Sequence, residues 1–182
     1  MNYGFPEENY HFEYPAHGSP ILAKKVAALL QAAGIESQMN FTSGFDHGFF
    51  IPMLSINPQI YPSYKFPLSL DLAEHLRNGR VLAPLRDEGI VIGSGFITHD
   101  LSFRLSVVDS QAITEEVANV MKMNGEERDD GMINWDKLPA ARKGHPREEN
   151  LLPLDVALGV DGTQSIAQRL CQHLMPPHML SF

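Results

Sequence analysis

The chain has 182 residues, with 14 basic against 22 acidic side chains and a formal net charge of -8 when its eight histidines are neutral. A 43% hydrophobic and 20% charged composition describes a folded protein rather than a disordered one, and the length suits one domain with a real core. One cysteine excludes an internal disulfide framework and a multi-cysteine zinc site, while the acidic balance excludes a nucleic-acid grip built on phosphate neutralisation.

No apolar run reaches the ~18–20 residues needed to span a bilayer. The opening MNYGFPEENY has neither a basic leader nor an apolar core, so the expected compartment is the cytoplasm. Residues 1–18 interleave Tyr3, Phe5, Tyr10, Phe12 and Tyr14 with prolines and glycines, and so much aromatic surface requires packing partners. Ser19 then reads as an N-cap with Pro20 at the first helical position, where a missing N–H costs nothing. Leu22, Val26, Leu29 and Leu30 recur at helical spacing up to Gly34, a natural stop.

A strand is expected at Ile35–Met39, followed by the Asp46-His47-Gly48 turn. Pro58, Pro62 and Pro67 exclude a central strand over residues 56–67. Asp71 caps a second helix running to Leu82, and Ile90-Val91-Ile92 reads as a short buried strand leaving through Gly93-Ser94-Gly95. The Gly-Ser-Gly lacks the third glycine and acidic follower of a dinucleotide fingerprint, so it is read as a strand-exit turn. Beyond it come a weak helix near Gln111–Met121, a charged loop over 125–131, an apolar helix from Glu148 to Leu158 closed by Gly159, and a helical stretch Thr163–Leu174 that carries Cys171 as a packing residue. The fold class is α/β: residues 1–182 form a single domain with a central mixed sheet flanked by helices.

Three histidines stand out by context. His99 lies just past the expected strand, where open α/β sheets bind ligands. His145 stands between Gly144 and Pro146, ahead of Glu148 and Glu149, whose adjacent side chains diverge and form no dyad. His47 has a carboxylate on one side and glycine on the other. His11, His75, His173 and His178 look bland, with His75 read as a solvated helix residue. No HExxH, CxxC or helically spaced histidine pair is present, so a metal site would be assembled from distant residues.

Taken together, Tyr3-Gly4-Phe5-Pro6-Glu7-Glu8, Gly18-Ser19-Pro20, Phe45-Asp46-His47-Gly48, the Leu82–Gly89 segment, Gly93-Ser94-Gly95 leading to His99, and His145-Pro146-Arg147-Glu148-Glu149 leading to Leu151–Leu154 resemble one pattern. It is that of the class III extradiol ring-cleavage dioxygenases of the 4,5-DOPA dioxygenase type, matched from residue 3 to about residue 160. The resemblance implies a non-haem metal enzyme that opens a catecholic ring with O2, using Fe(II), with Zn(II) as an alternative occupant of the same pocket. Position by position it makes His145 a metal ligand, His99 the catalytic histidine and His47 part of the substrate pocket. The implied partners are a small-molecule catechol and O2, with no nucleic acid, no membrane and room for a homo-oligomer.

The pattern is also departed from. The family's fold begins with a further N-terminal segment that supplies two metal histidines, so the resemblance implies that this chain lacks that segment and its N-terminal strand or strands. His17-Gly18-Ser19-Pro20 spells the tetrapeptide that carries one of those ligands, but its place in the chain corresponds to a different loop. Asp100 replaces the usual asparagine after the catalytic histidine, and Asn150 replaces a second histidine after Glu149. Two other functions therefore compete with the dioxygenase: a truncated, catalytically impaired member acting as a binding or partner subunit, and an α/β domain that binds a small aromatic ligand. Catechol-dependent oxygen uptake separates the first from the other two.

Overall fold

A computed structural model describes residues 14, 17–40, 42, 44, 48–49, 52–53, 70–89, 91–100, 102 and 104–162. The chain divides into two compact units, Met1–Pro67 and Leu68–Phe182. In the first, helix α1 (Pro20–Ala32) starts where the sequence places it: Ser19 is extended and its hydroxyl accepts the Leu22 N–H at 3.2 Å. Val26 and Leu30, one helical turn apart, are its buried face. Tyr14 is buried and meets Phe49 edge-on at 6.2 Å, so at least this part of the aromatic opening has its packing partner.

The second unit is built on α2 (Leu72–Leu82), α3 (Val107–Met121), α4 (Gly125–Ile133), the single turn α5 (Ala141–Gly144) and α6 (Leu152–Asp161), with short 3-10 turns at Ala83–Asp87 and Trp135–Lys137. Asp71 caps α2 by accepting the Glu74 N–H, and Ser106 caps α3 through the Asp109 N–H. That second cap starts α3 four residues earlier than its apolar pattern alone suggests. Ile113, Val117, Val120 and Met121 form the inner stripe of α3 and meet Leu72, Leu76, Met132, Trp135 and Leu152 in one core.

Helices α2 and α6 share the largest helix–helix contact among the described elements, and a pair of glycines makes it close. A Cβ on Gly79 would overlap the Val156 carbonyl oxygen and lie 2.8 Å from the Gly159 Cα, and one on Gly159 would lie 2.9 Å from the Gly79 Cα. Gly159 is therefore the crossing point of α6 rather than its end. The helix stops at Gly162, whose φ of 75° is open to glycine at little cost.

The charged stretch 125–131 is helix α4, not a loop. Glu126 and Glu127 sit in its first turn, where carboxylates favour the positive end of the helix dipole. Its two inward charges, Arg128 and Asp129, pair with each other at 3.4 Å, while Asp129 also takes Arg80 and Arg128 reaches the Gly162 carbonyl and the Asp161 carboxylate. His75 is likewise not solvated. It is 0% exposed, with Nδ1 2.6 Å from the Asp71 carbonyl oxygen at the helix start.

Among the described residues no β-strand is assigned. Residues 35–40 carry no ladder, and the polar Glu36, Ser37 and Gln38 are all exposed. Residues 91–100 run without helix along 144–153, and Ile92 is half exposed rather than buried, because only the glycine side of this segment is pressed against protein. The expectations at Asp46–Gly48, 56–67 and Thr163–Leu174, and with them Cys171, His11, His173 and His178, lie wholly or mostly outside the described residues. No described helix is long and apolar enough to cross a membrane.

Candidate functional site

Two of the three singled-out histidines are brought together. Gly93 and Gly95 lie flat against the start of α6: a Cβ on either would overlap a backbone carbonyl oxygen, that of Pro153 or of Asn150. The Gly-Ser-Gly motif thus serves close backbone approach, with no phosphate involved. Beyond it the Phe96 N–H donates to the Asn150 carbonyl at 3.0 Å and the His99 N–H donates to the Gly144 carbonyl at 2.7 Å. These bonds set His99 beside the residue that precedes His145.

His99 is partly exposed, its ring stacked on that of Phe96 at 6.3 Å and 15°. Its loop is held by Asp100, whose carboxylate accepts the N–H groups of Ser102, Arg104 and Leu105 at 2.9–3.0 Å. The hydrogen bonds from Ser102, followed by those from Arg104 and Leu105, hold the Asp100 carboxyl below its ordinary value. An asparagine amide offers one acceptor oxygen, so a carboxylate suits this turn better.

His145 is fully buried at the exit of α5, its N–H bonded to the Ala141 carbonyl at 2.8 Å. Its Nε2 donates to the Ile97 carbonyl at 2.5 Å, and the Trp135 ring meets it edge-on at 5.6 Å and 85°. Its Nδ1 is buried with no hydrogen-bond partner. Burial pushes the ring's pKa below 6.5, and a charge on His99 pushes the same way, against the Ile97 carbonyl, Glu149 and the Arg147 carbonyl. The ring is therefore neutral near pH 7, the state a metal ligand requires. Behind it the Arg142 guanidinium lies 4.8 Å over the Trp135 ring and pairs with Glu148 at 2.7 Å. Glu149 turns instead to Arg147 at 3.5 Å, so the two glutamates diverge as the sequence suggests.

His47 lies outside the described residues. His17 is exposed, and among the described residues no cluster of three His, Cys, Asp or Glu side chains could hold a metal. The orphaned Nδ1 of His145 fits one ligand position of such a site. Sequence reasoning missed Trp135, the Ile97 carbonyl and the Arg142–Glu148 pair, since nothing in their spacing to His145 marks them. It also missed Asp155, fully buried with both carboxylate oxygens unpartnered, although a lone acid inside LLPLDVALGV is a visible anomaly.

The family described as "Catalytic LigB subunit of aromatic ring-opening dioxygenase" matches residues 2–179. This chain belongs to it. Among relatives, a protein of Beta vulgaris named 4,5-DOPA dioxygenase extradiol is 33% identical over 178 residues, covering 91% of this chain and 65% of its own length. The dioxygenase tasH of Hapsidospora irregularis is 34% identical, covering 86% and 55%. A crystal structure of the uncharacterized protein JW3007 from Escherichia coli K12 superposes with a TM-score of 0.71 at 28% identity, over 83% of this chain and 66% of that one. The chain thus spans less than two thirds of the length of these curated relatives. Membership and the structural neighbour give the α/β class, and they associate this chain with aromatic ring-opening dioxygenation.

Proposed function

We propose that this chain is part or all of an extradiol dioxygenase that cleaves a catecholic ring of the DOPA class with O2. The observation that carries the reading is the convergence of His99 and His145 across residues 96–99 and 144–150, with His145 offering a buried, unpartnered Nδ1. The names of the relatives in Beta vulgaris and Hapsidospora irregularis support it.

In this reading residues 1–182 belong to one catalytic domain with a central mixed sheet flanked by helices. His145 holds Fe(II), with Zn(II) able to take the same place, and His47 lines the substrate pocket. The metal supplies Lewis acidity toward a catechol diol and the redox chemistry that O2 needs. His99 stands beside that centre with a partly exposed ring and moves a proton between a catechol hydroxyl oxygen and solvent. Phe96 limits the tilt of the His99 ring by stacking, and the Asp100 turn fixes the backbone that carries it. Both atoms of O2 enter the product, and the ring bond that breaks adjoins a hydroxyl-bearing carbon without joining two of them. The reaction takes place without membrane or nucleic acid, in the cytoplasm, in a monomer or homo-oligomer.

The test is oxygen uptake by the full chain with DOPA and Fe(II), followed by a yellow ring-opened product. His99→Ala is expected to abolish turnover while Zn(II) affinity stays within about threefold, since His99 moves protons and does not hold the metal. Uptake that survives His99→Ala, or a chain that retains no more than trace metal after reconstitution, would overturn the reading.

A further inference from the structure

The surroundings of His145 say which of its two nitrogens is available. A carbonyl oxygen can only accept, so the Nε2 atom 2.5 Å from the Ile97 carbonyl carries the hydrogen. In a neutral ring the lone pair then lies on Nδ1, the atom left buried without a partner. A buried acceptor without a partner costs about 1–3 kcal/mol unless something meets it. Histidines that bind metal donate their other ring N–H to a carbonyl or carboxylate, which fixes tautomer and ring rotation. Half of that arrangement is present here.

The other half is what prevents the ring from turning. Rotation by 180° about the Cβ–Cγ bond would carry Nε2 away from Ile97 and put carbon in its place. The edge-on contact with Trp135 opposes this rotation, and Trp135 is itself 1% exposed. Arg142 covers its ring at 4.8 Å and is held in turn by Glu148 at 2.7 Å. Four side chains thus run in contact from the exposed rim to the imidazole: Glu148, Arg142, Trp135 and His145.

We propose that Trp135 is a positioning residue which, with the Ile97 carbonyl, locks His145 as its Nε2–H tautomer and makes Nδ1 the atom through which this residue binds a divalent metal. The inference rests on the metal reading given above. It adds to that reading the atom that binds, the residue that orients it and the role of the Arg142–Glu148 pair.

The experiment is long-range proton–nitrogen NMR of the full chain labelled with 15N-histidine, metal-free and then titrated with Zn(II). Metal-free His145 is expected to show Nε2 protonated and Nδ1 bare, and Zn(II) to shift Nδ1 while the Nε2 hydrogen stays. Trp135→Leu is expected to mix the two tautomers and weaken Zn(II) binding roughly 10- to 100-fold, the usual effect of losing such a support, and Trp135→Phe to restore most of it. Arg142→Met, at a half-exposed side chain, is the milder variant should Trp135→Leu fail to fold, and is expected to show the same mixing to a smaller degree. A metal-free Nδ1–H tautomer, or Zn(II) arriving at Nε2, overturns the positioning inference and leaves the metal reading standing. An intact Nε2–H tautomer with neither nitrogen responding to Zn(II) overturns the metal reading and the role of Nδ1 with it. An unmixed tautomer and unchanged affinity in both Trp135→Leu and Arg142→Met overturn the assignment to Trp135.

Discussion

Replacing Asp155 with asparagine removes a carboxyl group that the fold accommodates only while it is protonated. Asp155 sits on the inner face of α6, 0% exposed, with no hydrogen-bond partner for either oxygen. Burial first, and the Asp129 carboxylate second, push it up from 3.8 to about 8, opposed only by its own backbone N–H. The folded chain therefore keeps this proton over a range where the unfolded chain has lost it. Below about pH 3.8 both states are protonated and no penalty exists; it grows through the interval and is complete above about pH 8. A gap of roughly 4 units at 1.36 kcal/mol each puts the full penalty on the order of 5 kcal/mol. Asparagine has the same shape and never ionises, so Asp155→Asn should gain about 4 kcal/mol on the wild type between about pH 5 and pH 8. Urea unfolding of both proteins at several values across that interval reads the difference directly. A stability difference constant to within about 0.5 kcal/mol over the interval would refute a buried, unpaired Asp155.

Gly159→Ala places a methyl group against the α2 backbone and should destabilise the second unit by about 1–3 kcal/mol or more; the same change at the exposed Gly89, which has open space, should be near neutral in denaturant melts. Asp100→Asn loses one carboxylate oxygen from a turn that uses both, so amide exchange at Ser102, Arg104 and Leu105 should speed up, most at the two amides bound to Oδ2. His145 is depressed below its ordinary 6.5, so its contribution to stability is present above that value and lost as pH falls through the lower folded value. His145→Gln should flatten that acid limb of the stability profile, and an unchanged limb would count against the burial of His145.

What the sequence revealed was local, and what it hid was tertiary. The starts of α1 and α2 could be read because Ser19 and Asp71 make their capping bonds within three residues of themselves. His99 and His145 were identifiable through the motifs around them, and the structure brings them together by backbone bonds that no side-chain pattern announces. Residues 125–131 misled because acidic composition resembles a loop, whereas Arg128 and Asp129 are neutralised by Arg80 and Asp161 from other elements. Gly159 misled for a related reason: a glycine near a helix end reads as a stop, but this one is required by Gly79 of α2. His75 looked solvated beside Glu74 and Arg77, yet helix geometry turns it inward while they face out.

The cross-links between residues 96–99 and 144–150 have a mechanical consequence. The Phe96 N–H grips the Asn150 carbonyl, the His99 N–H grips the Gly144 carbonyl, and the His145 ring grips the Ile97 carbonyl in the opposite sense. The two imidazoles therefore ride on one stiff frame, and a displacement of α6 is common to both. Thermal jitter or a distant substitution shifts the pair as a unit and leaves its internal spacing almost unchanged. A proton carrier and a ligand tied in this way tolerate motion in the rest of the protein far better than two residues on independent loops would.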